Sequence, residues 1–296
     1  MGTTRRDFLK ASMAATALPL LSNAVPQTTT KGAATDWVTL GKSNVKVTRL
    51  AFGTGTHGGR VQRELGQAEF TRLVRYAYDN GIRFFETADR YQGMPQMLSV
   101  ALKGIPRDSY KLMTKYNAVN MDNPQSTIDR MRGDLATEYV DIMLLHCMRS
   151  PTWPEDLKKL EDSLSEAKDK KIILSHGASV HGQPALNAFP GMQWLDVAMI
   201  RMNHTGAHMD TPLTRDTPDL GNVPLVVSQM QKVKGQGAGI ISMKLVGEGQ
   251  FTERADRQAA LHHAFKVAGV DCVTIGFKNT AEIDEAIENI NGVLRA

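Results

Sequence analysis

Short apolar runs recur along the chain at regular intervals, and each has the length and composition of a buried β-strand. A first pair, WVTL and VKVT, flanks residues 41–44 and predicts a short hairpin. Eight further runs follow between residues 49 and 276: RLAFG, IRFFE, YKLMTK, VDIMLLH, KIILSHG, LDVAMIR, AGIISMK and DCVTIG.

The segments between these runs carry apolar residues at the spacing of an amphipathic helix. Two of the segments end in Gly81 and Gly269, a residue type that commonly stops a helix. Eight strands alternating with helices in about 260 residues predict an α/β fold, a (β/α)8 TIM barrel with a short N-terminal hairpin cap. The helical segments include QAEFTRLVRYAYDNG, PQSTIDRMRGDLATE, PEDLKKLEDSLSEAKDKK, RADRQAALHHAFKVAG and TAEIDEAIENI.

An open, doubly wound sheet is the alternative for this alternation, because GTGTHG at residues 53–58 matches the G-x-G-x-x-G fingerprint of that fold. No helical pattern begins at Gly58, however, since the next one starts near Gln67. The following strand ends in Glu86, later than the usual spacing of about 20 residues for a ribose-binding acid. We therefore interpret residues 53–58 as a flexible first loop of a barrel.

The composition is that of a soluble globular protein, with 42% hydrophobic and 22% charged residues among 296. The net charge of +4 is spread along the chain without long basic runs, which argues against a nucleic-acid partner. Cys147 and Cys272 both lie in apolar runs. We expect two buried thiols and no disulfide.

The N-terminus departs from this composition. The charged segment TTRRDFLK precedes fourteen uncharged residues, ASMAATALPLLSNA, which end in a small-x-small pattern at residues 22–24. This order predicts a cleaved signal peptide, because the apolar part is too short to span a membrane. Arg5-Arg6, followed by Phe8-Leu9-Lys10, resembles the twin-arginine signal that directs folded proteins to export.

These observations predict a signal peptide over residues 1–24, a linker over residues 25–35 and the barrel over residues 36–296. The mature protein would be periplasmic or otherwise exported through the twin-arginine pathway. Its partners would be the twin-arginine export machinery and a small-molecule substrate, and contact with the membrane would be transient, during export.

Four side chains suited to proton transfer fall at the ends of predicted strands or directly after them. Glu86 ends the second barrel strand, Tyr91 follows it, Lys115 ends the third strand and His146 ends the fourth. In a barrel, active-site groups come from these carboxyl ends and the loops after them. Each residue alone has an ordinary structural explanation, but their convergence on one face predicts a catalytic site.

The chemistry that these four residues suggest is acid–base work on a carbonyl or an alcohol. A free tyrosine has a pKa of about 10 and is a poor proton shuttle near neutral pH. A nearby ammonium lowers the pKa of a phenol, and a carboxylate keeps that ammonium charged and in place. A neutral imidazole can donate a hydrogen bond to the substrate oxygen.

Six segments of the chain, in order, resemble segments of the aldo-keto reductase family, and the resemblance runs from about residue 37 to residue 296. IRFFETADRYQG resembles the second-strand signature, LMTKY the lysine strand and DIMLLH the histidine strand. The resemblance implies a (β/α)8 barrel, a bound nicotinamide nucleotide and an Asp-Tyr-Lys-His tetrad. The remaining segments resemble the fifth-strand turn, the seventh-strand cofactor loop and the eighth-strand phosphate segment: LSHGASVH, IISMKLVGEG and VTIGFKNTAEI.

The first tetrad position departs from the family. The family's aspartate lies five residues before the tyrosine, and this position holds Glu86. Asp89 corresponds to a frequent acid outside the tetrad. We expect Glu86 to pair with Lys115, which must sit differently or bend because the carboxylate projects one methylene further, and Asp89 to structure its loop.

The same resemblance implies which residues hold the nucleotide. Ser179 would hold the nicotinamide carboxamide, and Met243 would either stack on the ring or belong to the barrel core. Lys244 to Gly249 would wrap the pyrophosphate, and Gly276 to Asn279 would grip the adenosine phosphate. The expected cofactor contacts are Thr54, Ser179, Met243, Lys244, Leu245, Val246, Gly247, Gly276, Phe277, Lys278, Asn279 and Glu282.

Two features of the adenosine segment bear on the choice of cofactor. Lys278 suits a 2′-phosphate, so NADP(H) is the expected cofactor. Glu282 stands where relatives often carry arginine or glutamine, and Ala286 where they often carry asparagine, so NAD(H) stays open.

Two classes of function are consistent with these residues. The first is an exported NADP(H)-dependent oxidoreductase that reduces a carbonyl or oxidises a hydroxyl, on a sugar or an aldehyde, with Tyr91 as general acid/base. The second is a non-catalytic barrel that binds a carbohydrate or a protein outside the cytoplasm. Trp153 would stack on a sugar or anchor a packed loop. No metal site is predicted, because His204 and His208 lack the glutamate of a zinc-binding helix.

Overall fold

The N-terminal hairpin forms as the sequence predicts. The computed structural model describes residues 32–118 and 121–296, and its first elements are β1 (Trp37–Thr39) and β2 (Lys46–Thr48). The two strands pair antiparallel, with Val38 opposite Val47. The signal peptide predicted over residues 1–24 and most of the predicted linker lie outside the described residues.

Eight parallel strands then close into a barrel, which confirms the predicted TIM barrel. Each strand pairs with the next along the chain, and the eighth pairs with the first, so that the sheet has no free edge. The barrel strands are β3 (Leu50–Gly53), β4 (Phe84–Glu86), β5 (Lys111–Tyr116), β6 (Val140–Met148), β7 (Ile173–Val180), β8 (Val197–Arg201), β9 (Gly239–Met243) and β10 (Cys272–Gly276).

The hairpin covers the end of the barrel at which the strands begin. Leu40, Val45 and Val47 are buried and belong to the same apolar cluster as inward-facing strand residues. A Cβ atom at Gly239, the first residue of β9, would lie 2.6 Å from Leu40, so only glycine lets the hairpin approach this closely. The opposite end of the barrel, where the strands finish, therefore carries the open face.

Helices surround the barrel and bury a second apolar layer against the outside of the strands. Four of them, α1, α3, α7 and α8, lie outside the segments whose helical spacing is named above. The helices are α1 (Arg60–Arg63), α2 (Gly66–Asp79), α3 (Met94–Leu102), α4 (Pro124–Asp134), α5 (Trp153–Asp156), α6 (Lys158–Asp169), α7 (Gln183–Asn187), α8 (Val223–Gly235), α9 (Arg254–His262) and α10 (Thr280–Arg295).

The last residues of the predicted linker belong to the folded unit. Ala34 is fully buried, and its N–H donates to Asn291 Oδ1 of α10 at 2.8 Å. Its carbonyl accepts a hydrogen bond from Leu50 N at 2.9 Å. The folded unit accordingly begins at Gly32, four residues before the predicted boundary at residue 36.

Within the part of the chain that the structure describes, no helix has both the length and the hydropathy needed to cross a membrane.

One buried acid lies on an outer helix and not at the ends of the barrel strands. Glu161 on α6 is 5% exposed, and among the described residues its Oε1 has no hydrogen-bond partner. Lys158 Nζ approaches Glu161 Oε2 only to 4.0 Å. Burial raises the pKa of Glu161 to about 7, although Lys158 opposes this shift. Because the folded-state pKa exceeds the unfolded-state value, the neutral acid stabilises the fold at low pH, and this stabilisation is lost as pH rises through about 7.

We expect Glu161→Gln to stabilise the protein more at pH 8 than at pH 5.5, because glutamine cannot ionise. The gain in free energy of unfolding should grow by about 1–2 kcal/mol over this interval, as measured by urea unfolding. Glu166→Gln, an exposed position on the same helix, is the matched control and should show no such growth. An equal effect of Glu161→Gln at both pH values would contradict the buried-acid interpretation.

Candidate active site

The structure brings the four predicted acid–base residues together at the open face of the barrel. Glu86 is the last residue of β4, Lys115 lies near the end of β5, and His146 lies in the last part of β6. Tyr91 follows β4 in the loop that leads to α3. Glu86, Lys115 and His146 are all buried, so these three side chains lie away from bulk water.

Lys115 is the centre of this group. Its Nζ donates to Glu86 Oε1, to the carbonyl oxygen of Thr87 at 2.9 Å and to Tyr91 Oη at 3.3 Å. An ammonium has three N–H donors, and each finds an acceptor here. The buried charge is therefore both neutralised by a carboxylate and fully hydrogen-bonded.

Gly53 makes room for Glu86, because a glycine has no side chain. A Cβ atom at Gly53 would lie 3.0 Å from Glu86 Oε2 and 2.6 Å from Thr274 Oγ1. Thr274 Oγ1 itself donates to Glu86 Oε2 at 3.2 Å. The extra methylene of Glu86 is thus accommodated by the wall of the barrel, and its second oxygen is hydrogen-bonded.

Asp89, the other acid of the same segment, is placed differently. Its Oδ1 accepts from Arg130 Nη2 at 2.8 Å, in an ion pair whose arginine is half exposed. The lysine partner in this structure is therefore Glu86, and Asp89 ties its loop to α4.

Tyr91 and His146 pack edge to face, with ring centroids 5.5 Å apart and an interplanar angle of 84°. Gly55 determines how close the phenol can come to the barrel, because a Cβ atom there would lie 2.5 Å from Tyr91 Oη. His146 Nδ1 is buried and has no hydrogen-bond partner in the described residues. The phenol and the imidazole thus border the same small space.

The electrostatics of the phenol differ from the expectation drawn from the sequence. Burial, and then the Glu86 carboxylate, raise the pKa of Tyr91 well above 10, whereas Lys115 was expected to lower it. Burial lowers the pKa of Lys115, and Glu86 opposes that shift. Burial, and then the Lys115 charge, lower the pKa of His146 well below 6.5. At neutral pH Tyr91 is thus a protonated phenol and His146 a neutral imidazole.

A cavity of about 530 Å³ opens beside these residues, between the ends of β3, β9 and β10. Glu86 and Tyr91 line its inner part. Eight of the twelve residues expected to contact a cofactor lie on its wall: Met243, Lys244, Leu245, Val246, Gly276, Phe277, Lys278 and Glu282. Met243 also packs in the apolar cluster inside the barrel, so it has both of the roles considered for it.

The other four expected contacts are not on the cavity wall. Thr54 and Ser179 are fully buried, and Ser179 Oγ accepts from the backbone N–H of Cys147 at 2.9 Å. Asn279 caps α10, because its Oδ1 accepts from Glu282 N at 3.0 Å. Gly247 is buried at the start of a 3₁₀ turn over Gly247–Gly249.

The loop after β3, predicted from the sequence as a flexible loop, lies against the cavity. Gly55, Thr56 and His57 line the cavity, and a Cβ atom at Gly276 would lie 2.4 Å from Thr56 Oγ1. The glycines of GTGTHG were interpreted as a flexible loop, although their spacing was the available signal. Sequence reasoning also missed Phe251, Arg257, Glu285 and Asn289 on the far wall.

Each cation of the outer cavity wall has a carboxylate partner. Lys244 Nζ contacts Glu248 Oε1, and Lys278 Nζ lies 3.6 Å from Glu282 Oε1. Arg257 donates to both oxygens of Glu285, at 2.6 and 2.8 Å. The cavity wall thus combines an apolar face at Met243 with three cations, each of which is paired with a carboxylate.

Of the two roles considered for Trp153, the structure supports packing and not stacking on a sugar. Trp153 is 2% exposed and packs edge to face on Phe189, so it anchors a loop and does not offer a sugar platform. His204 packs on Phe251, and His208 Nδ1 lies 3.5 Å from Glu248 Oε2. The described residues include no group of three or more side chains that could hold a metal ion.

In sequence, this chain resembles known aldo-keto reductases. A model of the Aldo/keto reductase family matches residues 49–295. The Glycine max protein "Probable aldo-keto reductase 1" is 29% identical over 155 residues, which cover 48% of this chain and 45% of that protein. The match thus spans less than half the length of that relative.

Solved structures are similar over nearly the whole described chain. The holo form of an aldo-keto reductase from Bacillus halodurans is 16% identical, covers 88% of this chain and 95% of its own, and gives a TM-score of 0.68. An aldo-keto reductase from Klebsiella pneumoniae in complex with NADPH is 14% identical, covers 88% and 90%, and gives a TM-score of 0.63. At these identities the likeness concerns the fold.

The role of the Glu86–Lys115 pair in setting the ionisation of the site can be tested by mutation. We expect Glu86→Gln to lower kcat/KM for the reaction of this site by about 10- to 100-fold and to move the basic limb of its pH profile down by about one unit. The direction follows because Glu86 raises the pKa of both Lys115 and Tyr91.

The matched control is Asp89→Asn, which removes a carboxylate from the same segment but only loosens the surface pair with Arg130. Its pH profile should match that of the wild type. An unchanged basic limb in Glu86→Gln, or an equal shift in both variants, would show that Glu86 does not set the ionisation of the site.

Proposed function

This chain belongs to the aldo/keto reductase family, and from that premise we propose that it is an NADP(H)-dependent oxidoreductase that reduces a carbonyl or oxidises a hydroxyl group. The observation that carries the proposal is the contact of Lys115 Nζ with both Glu86 and Tyr91, beside a cavity of about 530 Å³ that Met243, Lys244 and Lys278 also line. The substrate class is a small carbonyl compound, such as an aldehyde or a sugar.

The proton chemistry follows from the ionisation states. In the reducing direction, Tyr91 donates its proton to the carbonyl oxygen as negative charge develops there. Lys115 stabilises the phenolate that remains, and Glu86 holds the ammonium in place. His146, neutral and packed on the phenol ring, donates a hydrogen bond to the same oxygen. A bound nicotinamide nucleotide supplies or accepts the hydride.

The cofactor assignment rests on the cavity and on a relative. Met243 offers an apolar face to a ring, while Lys244 and Lys278 offer cations to phosphates. The Klebsiella pneumoniae protein is solved with NADPH. Glu282 lies within 3.6 Å of Lys278 and competes for the cation that a 2′-phosphate would use. We therefore propose NADP(H) as the cofactor, with NAD(H) as the alternative that Glu282 favours.

Export is the second part of the proposal, and it rests on residues 1–24 of the sequence. A twin-arginine signal serves proteins that fold before export, and a nucleotide buried in a barrel is a physical reason to fold first. Outside the cytoplasm no pool of reduced nucleotide is expected. We propose that the protein carries its nucleotide out and retains it, or recycles the hydride by oxidising one substrate and reducing another.

The central prediction concerns Tyr91. Tyr91→Phe should lower carbonyl reduction by at least about 1,000-fold, because only the proton donor is lost, whereas the dissociation constant for NADPH should change less than about threefold. Reduction is followed by the absorbance of NADPH with a panel of aldehydes, and binding by its fluorescence.

Tyr78→Phe, a position whose hydroxyl bonds Ser109 outside the site, is the matched control and should keep wild-type rates. Near wild-type reduction by Tyr91→Phe would show that the tetrad assignment is wrong. A wild-type protein that binds nucleotide and reduces no carbonyl would instead favour the non-catalytic barrel that binds a carbohydrate or protein.

The carried-nucleotide proposal predicts that protein purified from the extracytoplasmic fraction releases NADP(H) or NAD(H) on denaturation. Retention for hours needs a dissociation constant well below micromolar, roughly −8 kcal/mol or better. The variant Arg5→Lys/Arg6→Lys is the control and should stay in the cytoplasm. Equal export of this variant would contradict the signal assignment, and nucleotide-free exported protein with micromolar affinity would contradict retention.

A further inference from the structure

A second charged cluster lies at the open face, outside the cavity and the tetrad. Arg149, His181 and Arg201 end or follow the three consecutive strands β6, β7 and β8, and all three face Asp216. Asp216 Oδ2 accepts from Arg149 Nη2 at 2.6 Å, and its Oδ1 accepts from Arg201 Nη1 at 2.8 Å. His181 Nδ1 lies 3.8 Å from Asp216 Oδ1. We refer to these four residues as the rim cluster.

The rim cluster stands just outward of the catalytic histidine. Arg149 follows His146 by three residues, and His181 N donates to the carbonyl of Met148 at 2.8 Å. His146 and Met148 are two residues apart on β6, which corresponds to roughly 6–7 Å along the strand. His181 is also close enough to contribute to the lowered pKa of His146. A substrate whose carbonyl oxygen lies at Tyr91 and His146 would therefore extend toward the rim cluster.

The two acids near Arg201 differ in their surroundings. Asp210 is fully buried and accepts from Arg201 Nε at 2.8 Å and from Nη2 at 2.7 Å, so Arg201 already has a permanent counterion. Asp216 belongs to an exposed stretch after β8, and its side chain is 60% exposed. Among the described residues, no other carboxylate lies within ion-pair distance of Arg149. Asp216 is thus an exposed carboxylate that occupies an anion-binding site formed by Arg149, Arg201 and His181.

The three neighbours of Asp216 hold its carboxylate in the ionised form. Contact with His181, and then with the two guanidinium groups, lowers the pKa of Asp216 despite partial burial. Burial lowers the pKa of His181 to about 4, so at neutral pH this imidazole is an uncharged donor. With Asp216 in place, the charges of the two arginines, Asp216 and the neighbouring Asp210 sum to zero. If Asp216 is displaced, the remaining three groups carry one net positive charge, and guanidinium N–H groups become free.

We propose that Arg149, Arg201 and His181 form a recognition site for a carboxylate on the substrate, and that Asp216 occupies this site until such a substrate displaces it. The inference rests on the proposed carbonyl reduction and narrows its substrate class to carbonyl compounds that carry a carboxylate a few bonds from the reacting carbon. Recognition exchanges one carboxylate for another on the same donors, so no buried charge is left unpaired.

The test compares two aldehydes that differ by one charge. 4-Carboxybenzaldehyde places a carboxylate across a ring from the carbonyl, and methyl 4-formylbenzoate is its neutral ester. We expect Asp216→Asn to raise the acid-to-ester ratio of kcat/KM with NADPH at least about tenfold, because the competing carboxylate is lost. Adding Arg149→Gln to Asp216→Asn should return this ratio to the wild-type value or below.

Asp219→Asn is the matched control, since Asp219 is an exposed acid of the same stretch whose hydrogen bonds go to Thr217. It should leave the ratio at the wild-type value. A change of less than twofold in Asp216→Asn, or an equal rise in Asp219→Asn, would overturn the proposal. A general loss of stability lowers both rates together and does not move the ratio.

A failure of the proposed reduction is recognised separately, because the neutral ester would then not be reduced either. In that case the site is tested by calorimetric titration of NADPH-loaded protein with 4-carboxybenzaldehyde. Asp216→Asn should bind this aldehyde at least about tenfold more tightly than the wild type. Equal affinities, or no binding by either protein, would overturn the carboxylate site.

Discussion

The burial of one ammonium group constrains the centre of this structure. An unpaired charge inside a barrel costs several kcal/mol, so Lys115 can lie there only with a carboxylate against it and acceptors for its remaining protons. Glu86 and Tyr91 meet that need on one side. Gly53 and Gly55 leave the space that the longer acid and the phenol require. The two glycines, the glutamate and the tyrosine are therefore all needed for the burial of the same ammonium group.

The sequence predicted the architecture well because a barrel repeats one local pattern eight times. Each buried strand is a short apolar run, and the closed sheet follows from their regular alternation with helices. Helices α3 and α8 carried weaker signals, because α3 is apolar at most of its positions and α8 is rich in valine, which has a low helix propensity. The contact of Ala34 with α10 could not be predicted, because it joins residues more than 250 positions apart in the chain.

The convergence of the four acid–base residues was predictable from the sequence, whereas their ionisation was not. Four acid–base residues could be chosen because strand ends meet at one face. The ionisation of Tyr91 could not, because it depends on whether burial or the neighbouring ammonium dominates, and burial does. Ser179 shows a similar limit: its hydroxyl is used by the backbone of Cys147, a partner brought close by a bulge in the pairing of β6 with β7. The rim cluster depends on contacts between Arg201 and residues nine and fifteen positions further along the chain, for which the sequence has no periodic signal.

The docking of Ala34 onto the last helix joins the two ends of the folded unit. Its N–H donates to Asn291, and Gly32 lies against Leu294 of the same helix. Synthesis proceeds from the N-terminus, so this strap has no binding site until the final turns of α10 have left the ribosome. Residues 32–34 are therefore the first part of the described chain to be synthesised and among the last to reach their packing partners.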